Sequence, residues 1–326
     1  MQMKDLSKGD GTEHPAVSWE AVDEGNAGQR IDNYLLRTLK GVPKSHVYRI
    51  LRSGEVRVNS RRIYATYRLA LGDRIRIPPV RVAHSDAPHA PASTGLSRRI
   101  LFEDEALLVV DKPAGVAVHG GSGVSSGVIE RLRAERPEAR FLELVHRLDR
   151  ETSGLLLVAK KRSALVHLHA QLREGQTDKR YLALAAGRVR DLKRRVRFPL
   201  HKYTTADGER RVVVDPDGQD AETIFHRHTV YSEATLLEAQ LLTGRTHQIR
   251  VHLAQLGHPI AGDDKYGDFA WNRDLAHAGL KRMFLHAARL TIEHPLTGQG
   301  LQLESPLPPE LAQFLLRCTP WTAAST

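Results

Sequence analysis

HRLDRETSGLLLVAK, residues 146–160, sets one carboxylate, Asp149, between Arg147 and Arg150, just ahead of Thr152-Ser153-Gly154 and the apolar run 155–159. Lys160, Lys161 and Arg162 close the run. A short apolar run bounded by turn residues and charges reads as a buried strand, with Asp149 in the turn that leads into it. A carboxylate among cations stays ionised and is held in place. That suits a nucleophile or an electrostatic catalyst better than a general acid. The plainer alternative is an Asp that caps a turn, the commoner use of an isolated one.

Outward from this strand the chain alternates in the same manner. ILFEDEALLVVDKPAG (100–115) reads as two strands around an Asp-Glu turn, SGVIERLRAER (126–136) as an amphipathic helix and SALVHLHAQLR (163–173) as another. RYLALAAG (180–187), RVVV (211–214), AETIFHRH (221–228), SEATLLEAQLLTG (232–244) and FLHAARLTIEHP (284–295) read as further strands with turn residues between them. Strands outnumber helices and hairpin-like spacing prevails over βαβ alternation. An α+β domain over 98–326 with a mixed, largely antiparallel sheet is expected.

Three more stretches carry chemistry. TGRTHQIRVHLAQLGHPIAGDDKYG (243–267) crowds Arg245, His247, Arg250, His252 and His258 together. The histidine spacing is not the i, i+4 pattern of a zinc helix, so no metal is expected. Arg and His reaching RNA phosphates, with one Arg kept as ion-pair partner for a carboxylate, is the favoured reading. An exposed basic helix face is the alternative. In DKRYLALAAG (178–187), Tyr181 opens a strand; it is a core residue or a platform for stacking on a base. DKPAGVAVHGGSG (111–123) is glycine-rich but lacks the Gly-Lys-Ser/Thr ending of a phosphate loop, and reads as a structural turn beside a substrate groove.

The net charge of +10 has one address. Residues 29–81 hold 13 Lys+Arg against 3 acids, and the rest of the 326 residues balance. Concentrated charge on a small unit is the mark of a polyanion binder. Within it, QRIDNYLLRTL (29–39) and SHVYRILRSG (45–54) carry apolar residues at helical spacing and end at Gly41 and Gly54. VRVNSRRI (56–63) reads as a hairpin about Asn-Ser, and GDRIRIP (72–78) as a further strand. Residues 1–18 are expected to be disordered, 19–81 to form a small α+β domain, and the Pro/Ala/Ser-rich 82–97 to be a linker between mobile units. The single cysteine, Cys318, excludes a disulfide within the chain and fits a reducing compartment. With no signal peptide and no membrane-length apolar run, a cytoplasmic protein is expected, and nothing demands more than a monomer.

These motifs resemble those of the ribosomal large-subunit pseudouridine synthases, in the same order. DKPAGVAVHGG is similar to that family's first motif, HRLDRETSGLLLVAK to its second, KRYLAL to the short tyrosine motif and TGRTHQIRVHLAQLGHPIAGDDKYG to its third. GEVRVNSRRI, with the two helices before it, resembles the RNA-binding domain shared with a small-subunit ribosomal protein, the S-four type. GQRIDNYLLRTLKGVPKSHVYRILRSGEVRVN and HGGSGVSSGVIERLRAERPEARFLELVHRLDR look most like one subtype of the family.

The resemblance implies Asp149 as the nucleophile, Tyr181 against a flipped base and handling the proton at C5, Arg250 paired with Asp149, and Arg147 helping to extrude the uridine. It also implies RNA contacts by Arg30, Lys44, Arg49, Arg52, Arg57, Arg61 and Arg62. The expected reaction is isomerisation of uridine in large-subunit (23S) ribosomal RNA, free or in an assembling subunit, with no cofactor. Breaking the glycosidic bond, turning the uracil and joining C5 to C1′ is redox-neutral, and one carboxylate can trap or stabilise the electron-poor ribose. Attack of Asp149 on C1′, attack on uracil C6 and removal of a ribose proton all fit the sequence. A non-catalytic RNA-binding protein and a base-releasing N-glycosidase are the rivals.

Overall fold

The computed structural model describes residues 17–23, 25–39, 41–80, 95–120 and 126–322. Most of the expected disordered N-terminus and linker, and part of the glycine-rich loop 111–123, lie outside these residues. The chain divides into two compact units, 1–90 and 91–326.

In the first unit, strand β1 (Ser18–Ala21) is followed by helices α1 (Ile31–Thr38) and α2 (Lys44–Arg52), then strands β2 (Arg57–Val58), β3 (Arg61–Arg62) and β4 (Arg74–Ile77). The four strands form an antiparallel sheet in the order β1-β4-β2-β3. Ile31 and Leu35 of α1, Val47, Ile50 and Leu51 of α2, and Val58 and Ile75 of the sheet make its buried core. Asn59 and Ser60 both take positive φ (50° and 64°), the conformation of a tight hairpin turn whose twist matches its strands. One expectation fails here. Ser18 is not part of a disordered tail: it opens β1, paired with Ile77 of β4. Ser-Trp-Glu-Ala does alternate, but four residues are too few for the alternation to stand out.

The second unit carries β5 (Ile100–Glu103), β6 (Leu107–Lys112), α3 (Val128–Glu135), β7 (Glu143–Leu144), β8 (Ser153–Ala159), α4 (Arg162–Glu174), β9 (Asp178–Ala186), β10 (Lys193–Arg197), β11 (Leu200–Thr204) and β12 (Arg210–Val214). After them come β13 (Glu222–Val230), β14 (Ala234–Leu241), α5 (Gln248–Gln255), α6 (Phe269–His277), β15 (Leu285–Glu293), β16 (Gly300–Glu304) and α7 (Pro309–Arg317). The main sheet runs β10-β13-β14-β9-β15-β8-β6-β5, and β11 and β12 make a separate hairpin. Its pairs are antiparallel except β15 with β8. The expected α+β fold and mixed sheet are therefore present. Leu96, placed by sequence in the linker, is buried in this unit's core within a short 3-10 turn, so the unit begins before residue 98.

β8 is buried along its whole length, and each fully buried Leu or Val there contributes roughly 1.5–3 kcal/mol. Its start is fixed by the parallel partner. Gly154 has φ +105°, and a Cβ on it would stand 2.3 Å from the Ala287 carbonyl oxygen of β15. Only glycine permits that approach. The turn carrying Asp149 enters β8 at this point.

Candidate active site

Asp149 sits in the turn between β7 and β8, closed by the Thr152 N–H donating to the Asp149 carbonyl at 3.1 Å. The turn is pinned from below. Lys112, at the end of β6 and fully buried, donates from Nζ to the carbonyls of Pro113 (2.9 Å), Val116 (2.8 Å) and Arg150 (3.0 Å). The Gly115 N–H adds a bond to the same Arg150 carbonyl, at 2.9 Å. Residues 112–116 thus form the structural turn expected in this stretch, and they hold the Asp149 turn in place. Burial pushes the Lys112 pKa down to about 7, against the pull of Glu151, Asp149 and Asp111. Lys112→Met would leave the Pro113 and Val116 carbonyls without this donor. It is expected to cost about 2–4 kcal/mol of stability, read as a lower urea midpoint at unchanged slope.

Arg250 approaches from α5. Residues 248–253 of this helix are all buried, so the exposed basic face offered by sequence as an alternative is absent. Arg250 reaches Asp149, Nη1 to Oδ2, at 3.4 Å. Its closer partner is Asp263, bound by Nε and Nη2 at 2.7 Å each, with Asp264 on Nη2 at 3.2 Å. A two-pronged fork of this kind is the strong form of the Arg–carboxylate contact. The guanidinium also lies over the Tyr266 ring, 5.1 Å from its centroid. Burial opposes the Arg250 charge, but the bond and charge of Asp263, then Asp149 and Asp264, outweigh it and raise its pKa. Burial likewise works against ionised Asp263; the Arg250 fork and the N–H groups of Lys265 and Tyr266 reverse the shift and hold its pKa low.

Asp149, Tyr181, Arg250 and Arg147 line one cavity of about 550 Å³. Tyr181 comes from β9, buried in mid-sheet between Ala239 and Ala287. Burial, then the charge of Asp149, raises its pKa, so the phenol stays protonated. Arg147 is exposed at the cavity, and its side chain makes no hydrogen bond or ion pair among the described residues. Lys179, two residues before Tyr181 on β9, faces the same cavity, and burial lowers its pKa. Arg173 and Arg245 are also in the wall, and Asp149 is its one acid among the described residues.

The histidines of 243–267 divide. His247 stands in the cavity with Nε2 3.8 Å from Asp149 Oδ1. His252 is buried between the Thr223 hydroxyl (3.0 Å) and the Phe198 carbonyl (3.1 Å). His258 bonds the Ala186 carbonyl at 2.8 Å. The reading of His252 as a phosphate contact is overturned, because both its ring nitrogens are taken up inside the fold, whereas half-buried His258 commits only Nδ1.

In the first unit, Lys44, Arg52 and Arg61 are exposed, with side chains unpaired among the described residues. Arg30 is half-buried and forked onto Asp32. Arg49 bonds His46 and lies near Glu55, Arg57 donates to the Gly54 carbonyl, and Arg62 donates to the Arg52 carbonyl. Asp263, Tyr266 and Lys112 were not singled out from the sequence. The only signals were two acids and an aromatic in DDKYG and a lysine closing an apolar run.

One carboxylate gripped by a buried arginine, above a tyrosine and inside cationic walls, can stabilise or attack an electron-poor carbon in an anionic substrate. Comparison with known proteins agrees. The chain belongs to the family of ribosomal large subunit pseudouridine synthases. Residues 106–255 match the family described as RNA pseudouridylate synthase, and 29–75 match the S4 domain. Ribosomal large subunit pseudouridine synthase C of Pasteurella multocida (strain Pm70) is 56% identical over 306 residues, 92% of this chain and 93% of that protein. The protein of the same name from Escherichia coli (strain K12) is 54% identical over 310 residues, 93% and 97% of the two chains. The C type is also the subtype that the two long stretches resembled. Among solved structures, human RNA pseudouridylate synthase domain containing 4 matches with a TM-score of 0.58 and 27% identity, over 69% of this chain and 94% of that one.

Proposed function

We propose that the chain isomerises uridine to pseudouridine in large-subunit ribosomal RNA, with Asp149 as the catalytic carboxylate on a flipped-out uridine. The observation that carries this is the placement of the cavity's one acid, Asp149, opposite Arg250 and beside Tyr181. The C1′–N1 bond breaks, C5 bonds to C1′, the C5 proton leaves and N1 gains one. Tyr181 contacts the base; because its phenol stays protonated, removing the C5 proton requires a coupled acceptor. Arg147 takes the place vacated by the uridine, and the remaining cations meet the flanking phosphates. The near relatives support ribosomal RNA as the substrate, free or in an assembling particle. No helix among the described residues is long and apolar enough to cross a membrane, which fits action in the cytoplasm.

The test is tritium release from large-subunit rRNA transcript labelled at uridine C5, with mapping of the modified positions. Release without free uracil supports the isomerase. Release of free uracil would instead mark an N-glycosidase, and no turnover on transcript or assembling particles would favour a binding protein.

The first unit, 19–81 in this proposal, serves as the RNA handle through Lys44, Arg49, Arg52, Arg57, Arg61 and Arg62, with Arg30 held on Asp32. Each phosphate neutralised on single-stranded RNA adds roughly 0.7 to the salt slope. Deleting residues 1–81 is therefore expected to weaken rRNA binding and flatten the plot of log Kd against log salt. An unchanged slope would place the handle elsewhere.

A further inference from the structure

We infer that His247 is a positioning residue, presenting a neutral Nε2–H to Asp149 in a tautomer that Tyr266 sets. The inference rests on Asp149 being the catalytic carboxylate.

The Val212 N–H of β12 donates to Tyr266 Oη at 2.9 Å, and Tyr266 Oη lies 2.8 Å from His247 Nδ1. The phenol has one proton to place. Among the described residues its oxygen has no other hydrogen-bonding neighbour than these two, and Val212 N–H only donates. The phenol proton therefore goes to Nδ1. That leaves the imidazole proton on Nε2, the nitrogen facing Asp149 Oδ1 at 3.8 Å. Arg250 Nη1 faces the other oxygen, Oδ2, at 3.4 Å. The carboxylate lies between two donors, Arg250 at the outer edge of bonding distance and His247 short of it at 3.8 Å, so that a small closing shift brings both onto it and fixes the plane in which it meets substrate.

Backbone conformation supports the assignment independently. His247 has φ +54°. The other non-glycine residues with positive φ among those described, Asn59 and Ser60, belong to a hairpin turn. A left-handed non-glycine residue is strained and persists where its surroundings over-determine it. Here it starts α5, so that His247 and Arg250, three residues apart, both turn toward Asp149.

The charged and titratable groups facing the ring are Asp149 from the β7–β8 turn, Arg250 from α5, and Asp263, Lys265 and Tyr266 from the segment after it. Burial lowers the His247 pKa; Asp149 opposes this, and Arg250 and Lys265 reinforce it. Burial also raises the Tyr266 pKa to about 12, so the phenol keeps the proton it donates.

The test compares wild type, Tyr266→Phe, His247→Gln and His247→Phe by multiple-turnover tritium release between about pH 5 and 8.5, with kcat and KM separated. Tyr266→Phe keeps the ring over Arg250 but frees the tautomer, so Nε2 can turn a lone pair on Asp149. Its kcat at pH 8 is expected to fall at least about tenfold, as when a catalytic histidine loses its tautomer partner, with KM little changed. Below about pH 6 its activity recovers relative to wild type, because burial holds the His247 pKa below its usual value and an imidazolium, once formed, carries a proton on Nε2 whatever Tyr266 does. His247→Gln, whose amide can donate, retains more activity than His247→Phe, and neither recovers in acid. A Tyr266→Phe loss that is independent of pH, or confined to KM, overturns the assignment, as does full activity in His247→Phe. Thermal unfolding of each variant separates misfolding from these outcomes. An inactive wild type counts against the proposed function, whereas an active wild type with indifferent variants counts against His247 alone.

Discussion

Asp149→Asn is expected to lower single-turnover tritium release by at least about a thousandfold, while rRNA affinity stays within a factor of about two. The amide matches the carboxylate in size but cannot attack a carbon or stabilise positive charge. The site survives the change because Arg250 does not depend on Asp149 for its position. Its fork on Asp263 holds at 2.7 Å on both prongs, and Asp264 remains a third partner. The effect should therefore fall on kcat. Filter binding and tritium release on the same rRNA transcript separate the two quantities. Wild-type turnover by Asp149→Asn would remove Asp149 from the chemistry, and a parallel loss of binding would make it a recognition residue.

The second large effect belongs to Arg250→Met. Methionine fills much of the same volume, but Asp263 is then a fully buried carboxylate without its cation. Breaking one side of a buried pair costs roughly 3–5 kcal/mol, since the surviving charge is left uncompensated. The pH dependence identifies the cause. In the wild type the folded-state pKa of Asp263 lies below its usual value. That stabilisation is present above the unfolded pKa of about 4 and is lost as pH falls through the depressed folded pKa. In the variant, burial raises the Asp263 pKa instead. The ionised carboxylate then destabilises the fold near neutrality, and protonation relieves it on acidification. Urea unfolding from pH 7 down to about pH 4.5 should show the gap between variant and wild type narrowing. A gap constant with pH would mean that lost packing, and not the stranded charge, is responsible.

Asp149, Tyr181 and Arg250, three of the four expected site residues that share the cavity, could be read because each lies in a short local pattern. Asp149 precedes a buried run, Tyr181 begins another, and Arg250 stands in a dense basic stretch. What could not be read was depth. Arg245, Arg250 and His252 make 243–258 look like a surface, whereas residues 248–253 of α5 are buried because each polar side chain there finds a partner distant in sequence or around a turn. His252 meets Thr223 and Phe198, and Arg250 meets Asp263. Pairing of that kind leaves no periodic trace. Charge also hid β10, whose sequence KRRVR buries only Val196. Arg30 illustrates the converse error. It counts toward the basic excess, yet Asp32 two residues on neutralises much of what it could offer a phosphate.

The parallel contact between β8 and β15 also bears on when activity can appear. Ser153 and His286, bonded at 2.9 Å, are separated by 133 positions in the chain. Closing so long a loop comes late in folding, because its entropy is lost before its contacts form. A growing chain that ends after α5 already contains Asp149, Tyr181 and Arg250, but lacks the strand that packs on Gly154 and frames the Asp149 turn. Synthesis from the N-terminus thus delivers the basic unit early and the organised Asp149 turn near the end, so under the proposed roles a nascent chain can hold RNA before it can modify it.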